Sequence, residues 1–227
     1  MHHLENISTL KKILSHFYDI KLEQISSAEN SSLEVFLSRG RIKLAAPNAV
    51  YSYEDLYTSF RSAFTALKIE NRKINNVLVL GFGLGSIPIL IDKFYIKEVN
   101  YTGIEIDESI ISLAYKYNPI LNNIKNKVLK ADAIDYVKNC NEKFDLIAVD
   151  LFIDNKVPEK FETHEFCQGL KTMLAPSGLL LFSQLSSTAE SEQHAKKFIN
   201  EIFKSVFPDS DFIQTTGNLI VHNQNKV

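Results

Sequence analysis

The sequence is short of cysteine, of net charge and of long apolar runs, and each shortage excludes a class of protein. Cys140 and Cys167 are the only cysteines among 227 residues. They make no disulfide framework, and neither has a second Cys or a His at zinc-ligand spacing. Both are expected to be reduced thiols in a cytoplasmic protein, in buried structural roles. Lys and Arg number 25 against 27 Asp and Glu, so the basic footprint that replaces phosphate counterions is missing and nucleic acid is not an expected partner. The longest apolar stretch, Val77 to Ile91, is broken by Gly, Ser and Pro and falls short of the ~20 residues a bilayer span needs. The first twenty residues mix Glu5, Lys11, Lys12 and Asp19 with apolar ones, so neither a signal peptide nor a membrane partner is expected. His16, His194 and His222 are scattered with no second ligand at metal spacing, so no metal is expected. Repeats and low-complexity tracts are absent as well.

What is present is ordinary globular material, 45% hydrophobic and 23% charged, at a length that suits one core with a small appendage. Leu4, Ile7, Leu10, Ile13, Leu14 and Phe17 lie on one face of a predicted amphipathic helix over 4–18. Segments around 20–25, 33–37 and 41–45 alternate polar and apolar residues, with Gly40 between two of them, and predict a small antiparallel unit. We place an N-terminal helix and strand region over residues 1–50 and the main domain over 51–227. A helix over 54–69 opens that domain. Strand cores then follow at 77–81, 99–106, 128–132, 144–152 and 179–185, separated by helical stretches. The uninterrupted apolar runs Leu146–Val149 and Leu179–Phe182 predict strands buried on both faces, hence a parallel sheet with helices on either side. A helix over 189–206 precedes two short strands joined by a turn at 215–218. The fold class is therefore α/β, a doubly wound, mostly parallel, Rossmann-like sheet of seven strands finished by an antiparallel hairpin. That is the class I methyltransferase layout.

The motif that carries chemistry is the turn after the first parallel strand, Val77-Leu78-Val79-Leu80-Gly81-Phe82-Gly83-Leu84-Gly85. Glycines there let the chain turn sharply and let a ligand approach bare backbone at a helix N-terminus. Glu105 ends the next strand, about two dozen residues on, where a carboxylate can accept from both ribose hydroxyls. Asp132 ends the third strand beside the small Ala133; it can accept from an adenine amino group and can equally cap a helix. Asp150 ends the fourth, across the switch point where open sheets bind ligands. Asp145 begins that same strand and belongs at the opposite end of the sheet.

From Ile74 to about Leu185 the chain resembles the spermidine synthases and their relatives, through VLVLGFGLGS, YTGIEIDESII, LKADAIDYV and the long FDLIAVDLFIDNKVPEKF run. The front segments LEVFLSRGRIKL and NAVYSYEDLY are similar to that family's N-terminal strands. The resemblance implies a nucleoside site built from Gly81, Phe82, Gly83, Gly85, Glu105, Ile106, Asp132, Ala133 and Asp150. It implies Asp150 as the catalytic aspartate, Tyr53 (or Tyr51) as the active-site tyrosine, Gln184 as a substrate-side glutamine, and a homodimer. Tyr51, Tyr53 and Tyr57 form a run whose spacing also suits core packing. Two departures stand out. Leu84 replaces the aspartate that pairs with the ammonium of decarboxylated S-adenosylmethionine. Leu151-Phe152-Ile153 puts apolar bulk where a diamine would sit. On these departures the sequence reads first as an S-adenosylmethionine-dependent methyltransferase acting on a small polar acceptor. An aminopropyltransferase using decarboxylated S-adenosylmethionine comes second. A catalytically silent nucleoside-binding protein and a nicotinamide dehydrogenase are the remaining alternatives.

Overall fold

The computed structural model of the chain describes residues 7–153 and 156–224; Leu4, Glu5 and Asp154 lie outside them. The chain opens with helix α1 (Thr9–Leu14), whose N-cap Ser8 accepts from Lys11 N. The helix is shorter than the apolar spacing predicts. Ser15 ends it by turning its hydroxyl back to Lys12 O at 2.6 Å and accepting from Gly40 N at 2.9 Å. Much of the predicted apolar face is not buried: Leu10, Ile13 and Phe17 are exposed, Leu14 is half-buried, and Ile7 packs against the core.

Four antiparallel strands follow, β1 (Ile20–Ile25), β2 (Leu33–Ser38), β3 (Arg41–Ala46) and β4 (Ala49–Ser52), in sequential order. Ser38 pairs with Arg41 across a two-residue turn in which Arg39 and Gly40 both have positive φ, the hairpin geometry whose twist matches its strands. β4 is an element the alternation did not predict, being only four residues long with one buried position. The inner-face residues Leu33, Val35, Leu37, Ile42 and Leu44 join one core with Phe60 and Phe64 of helix α2 (Thr58–Ala66) and with the main sheet. The 54–69 segment is thus a 3-10 turn (Glu54–Leu56) followed by α2, with Tyr57 between them.

The second sheet is built from β5 (Asn76–Leu80), β6 (Asn100–Glu105), β7 (Asn126–Lys130), β8 (Phe144–Val149), β9 (Leu174–Leu185), β10 (Asp211–Gln214) and β11 (Asn218–His222), in the spatial order β10-β11-β9-β8-β5-β6-β7. β7, β6, β5, β8 and β9 run parallel, and the β10–β11 hairpin adds antiparallel to β9. Val77 to Leu80 and Leu146 to Val149 are fully buried, which is what helices on both faces require. One face carries α2, α3 (Ser86–Phe94) and α4 (Glu108–Tyr117); the other carries α5 (Ala133–Asn139), α6 (His164–Met173) and α7 (Ala189–Phe198). α7 continues through a π turn (Ile199–Phe203) into α8 (Lys204–Val206). Cys167 is buried in this second layer, and burial pushes its thiol up to about 12. Among the described residues no helix is long and apolar enough to cross a membrane.

From β5 the chain crosses to β6 and β7 on one side and later to β8 and β9 on the other. The carboxyl end of β5 is therefore the switch point at which open α/β sheets leave a crevice.

Candidate active site

The turn after β5 fits only because glycine stands at its first position. Gly81 has φ +83°, and a Cβ there would lie 2.2 Å from Asp150 O, so the ends of β5 and β8 can close on one another. Phe82 turns inward, its ring filling the space above Gly103, where an added Cβ would meet it at 2.2 Å. Leu84 also points into the core, with 1% exposure, while its carbonyl accepts from Asn118 Nδ2 at 2.6 Å. The Leu84 departure thus removes a carboxylate from the turn without adding bulk to the crevice.

The turn's amides are already engaged. Gly81 N and Phe82 N donate to Ile104 O at 2.9 and 3.1 Å, and Gly85 N to Phe82 O at 2.9 Å. Gly83 N donates to Glu105 Oε2 at 3.0 Å. Leu84 N donates to Ser52 Oγ at 3.2 Å, so the end of β4 is tied to the turn. A pyrophosphate is held by free N–H groups at such a turn. With every amide from Gly81 to Gly85 taken, the turn itself offers no free N–H to a pyrophosphate. An uncharged nucleoside needs none.

The crevice holds about 860 Å³ of space, counting the solvent at its open mouth. Gly81, Gly83, Glu105, Ile106, Asp132, Ala133 and Asp150 line it, together with Leu151, Phe152, Ile153, Lys160 and Phe161. Two predicted residues do not. Phe82 is committed to the Gly103 gap, and Gly85 is the left-handed N-cap of α3, packed on Leu121. Ile106 and Ile153 are 42% and 61% exposed, large apolar side chains facing the crevice that a bound ring could cover.

The three strand-end acids converge there in three different electrostatic states. Glu105 is buried, accepting from Gly83 N and from Asp107 N at 3.2 Å. Burial raises its pKa, and the backbone N–H bonds recover part of that. Asp132 caps α5 through Oδ1, accepting from Ile134 N at 2.7 Å, and takes Lys160 Nζ on Oδ2 at 2.6 Å. Its partial burial acts upward, but Lys160 and the Ile134 amide outweigh it and hold the carboxyl below its usual range.

Asp150 is the outlier. Its Oδ2 accepts from Tyr57 Oη at 2.7 Å, while Oδ1 is buried without a hydrogen-bond partner among the described residues. Burial pushes its carboxyl up to about 7, and the nearby Tyr57 and Ser183 hydroxyls offset only part of that. Ser183 Oγ also accepts from Asn218 Nδ2 at 3.1 Å. Asp145, at the other end of β8, accepts from Asn75 N and Asn76 N, as its position predicts.

The tyrosine assignment needs correcting. Tyr53 Oη bonds to Ser38 Oγ at 2.6 Å, and Lys43 lies over its ring; the side chain serves the front sheet. Tyr51 lines the crevice and donates to Asn30 Oδ1 at 3.2 Å. Tyr57, read only as a packing residue, is the one on Asp150. It caps α2, and that helix start brings its hydroxyl to Asp150, a place that the tyrosine spacing alone does not single out. Gln184 is corrected too: it is 1% exposed, and strand alternation sets it with Leu180 and Phe182, away from Ser183.

The front sheet closes the crevice's outer side. Ser27 Oγ and Asn30 Nδ2 both donate to Asp107 Oδ2, the latter at 2.7 Å, which pins the β1–β2 loop beside Glu105. Glu29 and Asn30 of that loop line the crevice. Among the described residues no group of three or more His, Cys, Asp or Glu side chains is placed to hold a metal ion.

Comparison with known proteins identifies the family. The family model described as the spermine/spermidine synthase domain matches residues 55–218. A polyamine aminopropyltransferase of Vibrio vulnificus is 28% identical over 154 residues, covering 66% of this chain and 50% of that protein. The solved spermidine synthase of Thermotoga maritima has a TM-score of 0.71 at 16% identity, covering 89% of this chain and 72% of that one. Human methyltransferase-like protein 13, solved in complex with SAH, has a TM-score of 0.60 at 21% identity, covering 74% and 82%. At those identities the two structures speak for the fold, which is shared. The chain spans about half the length of the curated relatives it matches. A family-model match over most of the chain makes the protein a member of the spermine/spermidine synthase family.

Proposed function

We propose that the chain is an aminopropyltransferase of the spermidine synthase type, transferring from decarboxylated S-adenosylmethionine to a small amine. The observation that carries the reading is the buried Asp150 with one orphaned oxygen and one tyrosine partner, at the end of a crevice that suits an uncharged nucleoside. The curated relatives named polyamine aminopropyltransferase support it against methyl transfer. The division of the chain near residue 50 enters the reading as a division of labour. The front sheet closes the crevice, and the body holds the nucleoside on Glu105 and Asp132.

The chemistry needs little beyond alignment and a proton acceptor, because a sulfonium is already an activated leaving group. The acceptor amine must lose a proton before it can attack, and a free alkylamine resembles lysine, with a pKa near ~10.4. Asp150 takes that proton on the orphaned oxygen while Tyr57 holds the other. The amine nitrogen bonds to the propyl carbon, the carbon–sulfur bond breaks with its electron pair going to sulfur, and 5′-methylthioadenosine leaves as a neutral thioether. With the carboxyl at about 7, the rate should rise as pH passes through that value.

One observation favours a second reading. Leu84 leaves the turn without a carboxylate for the donor's ammonium, and so without one to repel the carboxylate that S-adenosylmethionine retains. Calorimetry with both donors, followed by the product's mass with an amine acceptor, separates the two. Tighter binding of the decarboxylated donor and an aminopropylated product are expected. Preference for S-adenosylmethionine with a methylated product would replace the first reading by the second. Donor binding with no product from any amine tried would leave a silent binding protein.

A further inference from the structure

Asp132 faces the crevice with a cation attached. Lys160 Nζ lies 2.6 Å from its Oδ2 and 4.9 Å from the centre of the Phe161 ring, and all three residues line the crevice beside Ile106 and Ala133. Lys160 belongs to the 3-10 turn Glu159–Phe161 after β8, whereas Asp132 is the N-cap of α5. The pairing keeps Asp132 ionised, and an ionised carboxylate only accepts hydrogen bonds while an ammonium only donates them. The ammonium has three N–H bonds and spends one on Asp132; each carboxylate oxygen keeps a second lone pair after its bond to Ile134 N or Lys160. The crevice therefore presents an acceptor and a donor side by side.

Resting on the reading of this crevice as an adenine-nucleoside site, we infer that Lys160 is a specificity-determining residue that reads the base together with Asp132. A 6-aminopurine offers the complementary edge, an amino group that donates to Asp132 next to a ring nitrogen that accepts from Lys160. A 6-oxopurine reverses the first of these contacts, setting a carbonyl oxygen against the carboxylate. Ile106 and Phe161 supply apolar surface for the ring, and the cation keeps the carboxylate ionised as that surface excludes water. The pair thus selects adenine over hypoxanthine or guanine, and Lys160 carries the ring-nitrogen half of the selection.

The test is a calorimetric cycle. The wild type and Lys160→Met are each titrated with 5′-methylthioadenosine, its 1-deaza and 7-deaza analogues, and 5′-methylthioinosine. The wild type should lose on the order of tenfold or more in affinity on one deaza analogue, the loss expected for a hydrogen bond to a charged group. Lys160→Met should show that same loss on the parent nucleoside and no further loss on that analogue, since the two changes remove one interaction. Both proteins should reject the inosine. A deaza penalty that persists in Lys160→Met, or parent binding as tight as in the wild type, overturns the role of Lys160 and leaves the nucleoside site standing. Should the variant not fold, the wild-type series still decides: equal affinity for the parent and both deaza analogues overturns the inference. Failure of the wild type to bind any adenine nucleoside overturns the site itself.

Discussion

Asp132 and Asp150 occupy the same kind of place, just past the end of a parallel strand at one crevice, yet they are held in opposite states. Asp132 has an amide on one oxygen and an ammonium on the other, and its carboxyl is pulled down despite partial burial. Asp150 has a tyrosine on one oxygen and, among the described residues, no partner on the other, and burial pushes it up to about 7. A strand end delivers a carboxylate to the crevice. The company it keeps there decides whether that carboxylate is a permanent acceptor or one that exchanges a proton near neutrality. The two also bear oppositely on stability. Asp132, with its pKa lowered on folding, contributes stability at neutral pH that is lost as acid protonates it. Asp150, with its pKa raised, binds a proton in the native state between about 4 and 7 that the unfolded chain has released, so stability falls as pH rises through that window.

The largest effect should come from removing the charge at the proton-exchanging end. Asp150→Asn should cut turnover by about 10²–10⁴-fold, the usual contribution of a general base, with nucleoside affinity by calorimetry essentially unchanged. The same variant should melt above the wild type at pH 8, with the gap shrinking towards pH 5, because Asn carries no buried charge to lose. A variant that melts lower at pH 8 than the wild type would contradict the assigned state of Asp150.

At the binding end the expected loss lies in affinity. Glu105→Ala should weaken 5′-methylthioadenosine binding by about 1.5–3 kcal/mol, the range for hydrogen bonds to a charged group. Calorimetry finding full affinity would remove Glu105 from the nucleoside site.

The tyrosines sharpen the contrast with the smallest changes. Tyr57→Phe takes away the Tyr57 hydrogen bond that favours ionised Asp150, which raises its pKa further. We expect turnover about tenfold lower at pH 7, in keeping with one charge-assisted bond, and the acid limb of the rate profile shifted upward. Tyr53→Phe loses the Ser38 contact and should cost about 1 kcal/mol of stability in urea melts, with turnover untouched. If the two variants exchanged these phenotypes, the tyrosine assignment would be reversed.

Much of this site can be read along the chain. The glycine turn and the acids at 105, 132 and 150 follow from strand ends, and strand ends follow from apolar runs and turn residues. Asp145 was excluded on the same ground, and it lies at the far end of β8. Tyr57 escaped because its partner is 93 residues away, and nothing local distinguishes it from Tyr51 and Tyr53. Lys160 was one more cation in a charged segment until the segment folded against Asp132. Alternation from Phe182 was enough to show which way Gln184 points. The inward turn of Leu84 depends on the left-handed conformations of Gly83 and Gly85 around it, which a count of glycines does not orient.

Periodicity, turn chemistry and burial run-lengths are local properties, so the order of the elements, the parallel sheet, the closing hairpin and the strand-end acids are all specified by the linear chain. Ionisation and hydrogen-bond partnership are not local. They depend on which groups from distant segments reach a carboxylate and on how much water the fold leaves around it. The lowered Asp132, the raised Asp150 and the choice of Tyr57 were therefore decided only when the front sheet, the turn and the post-β8 segment met over one crevice.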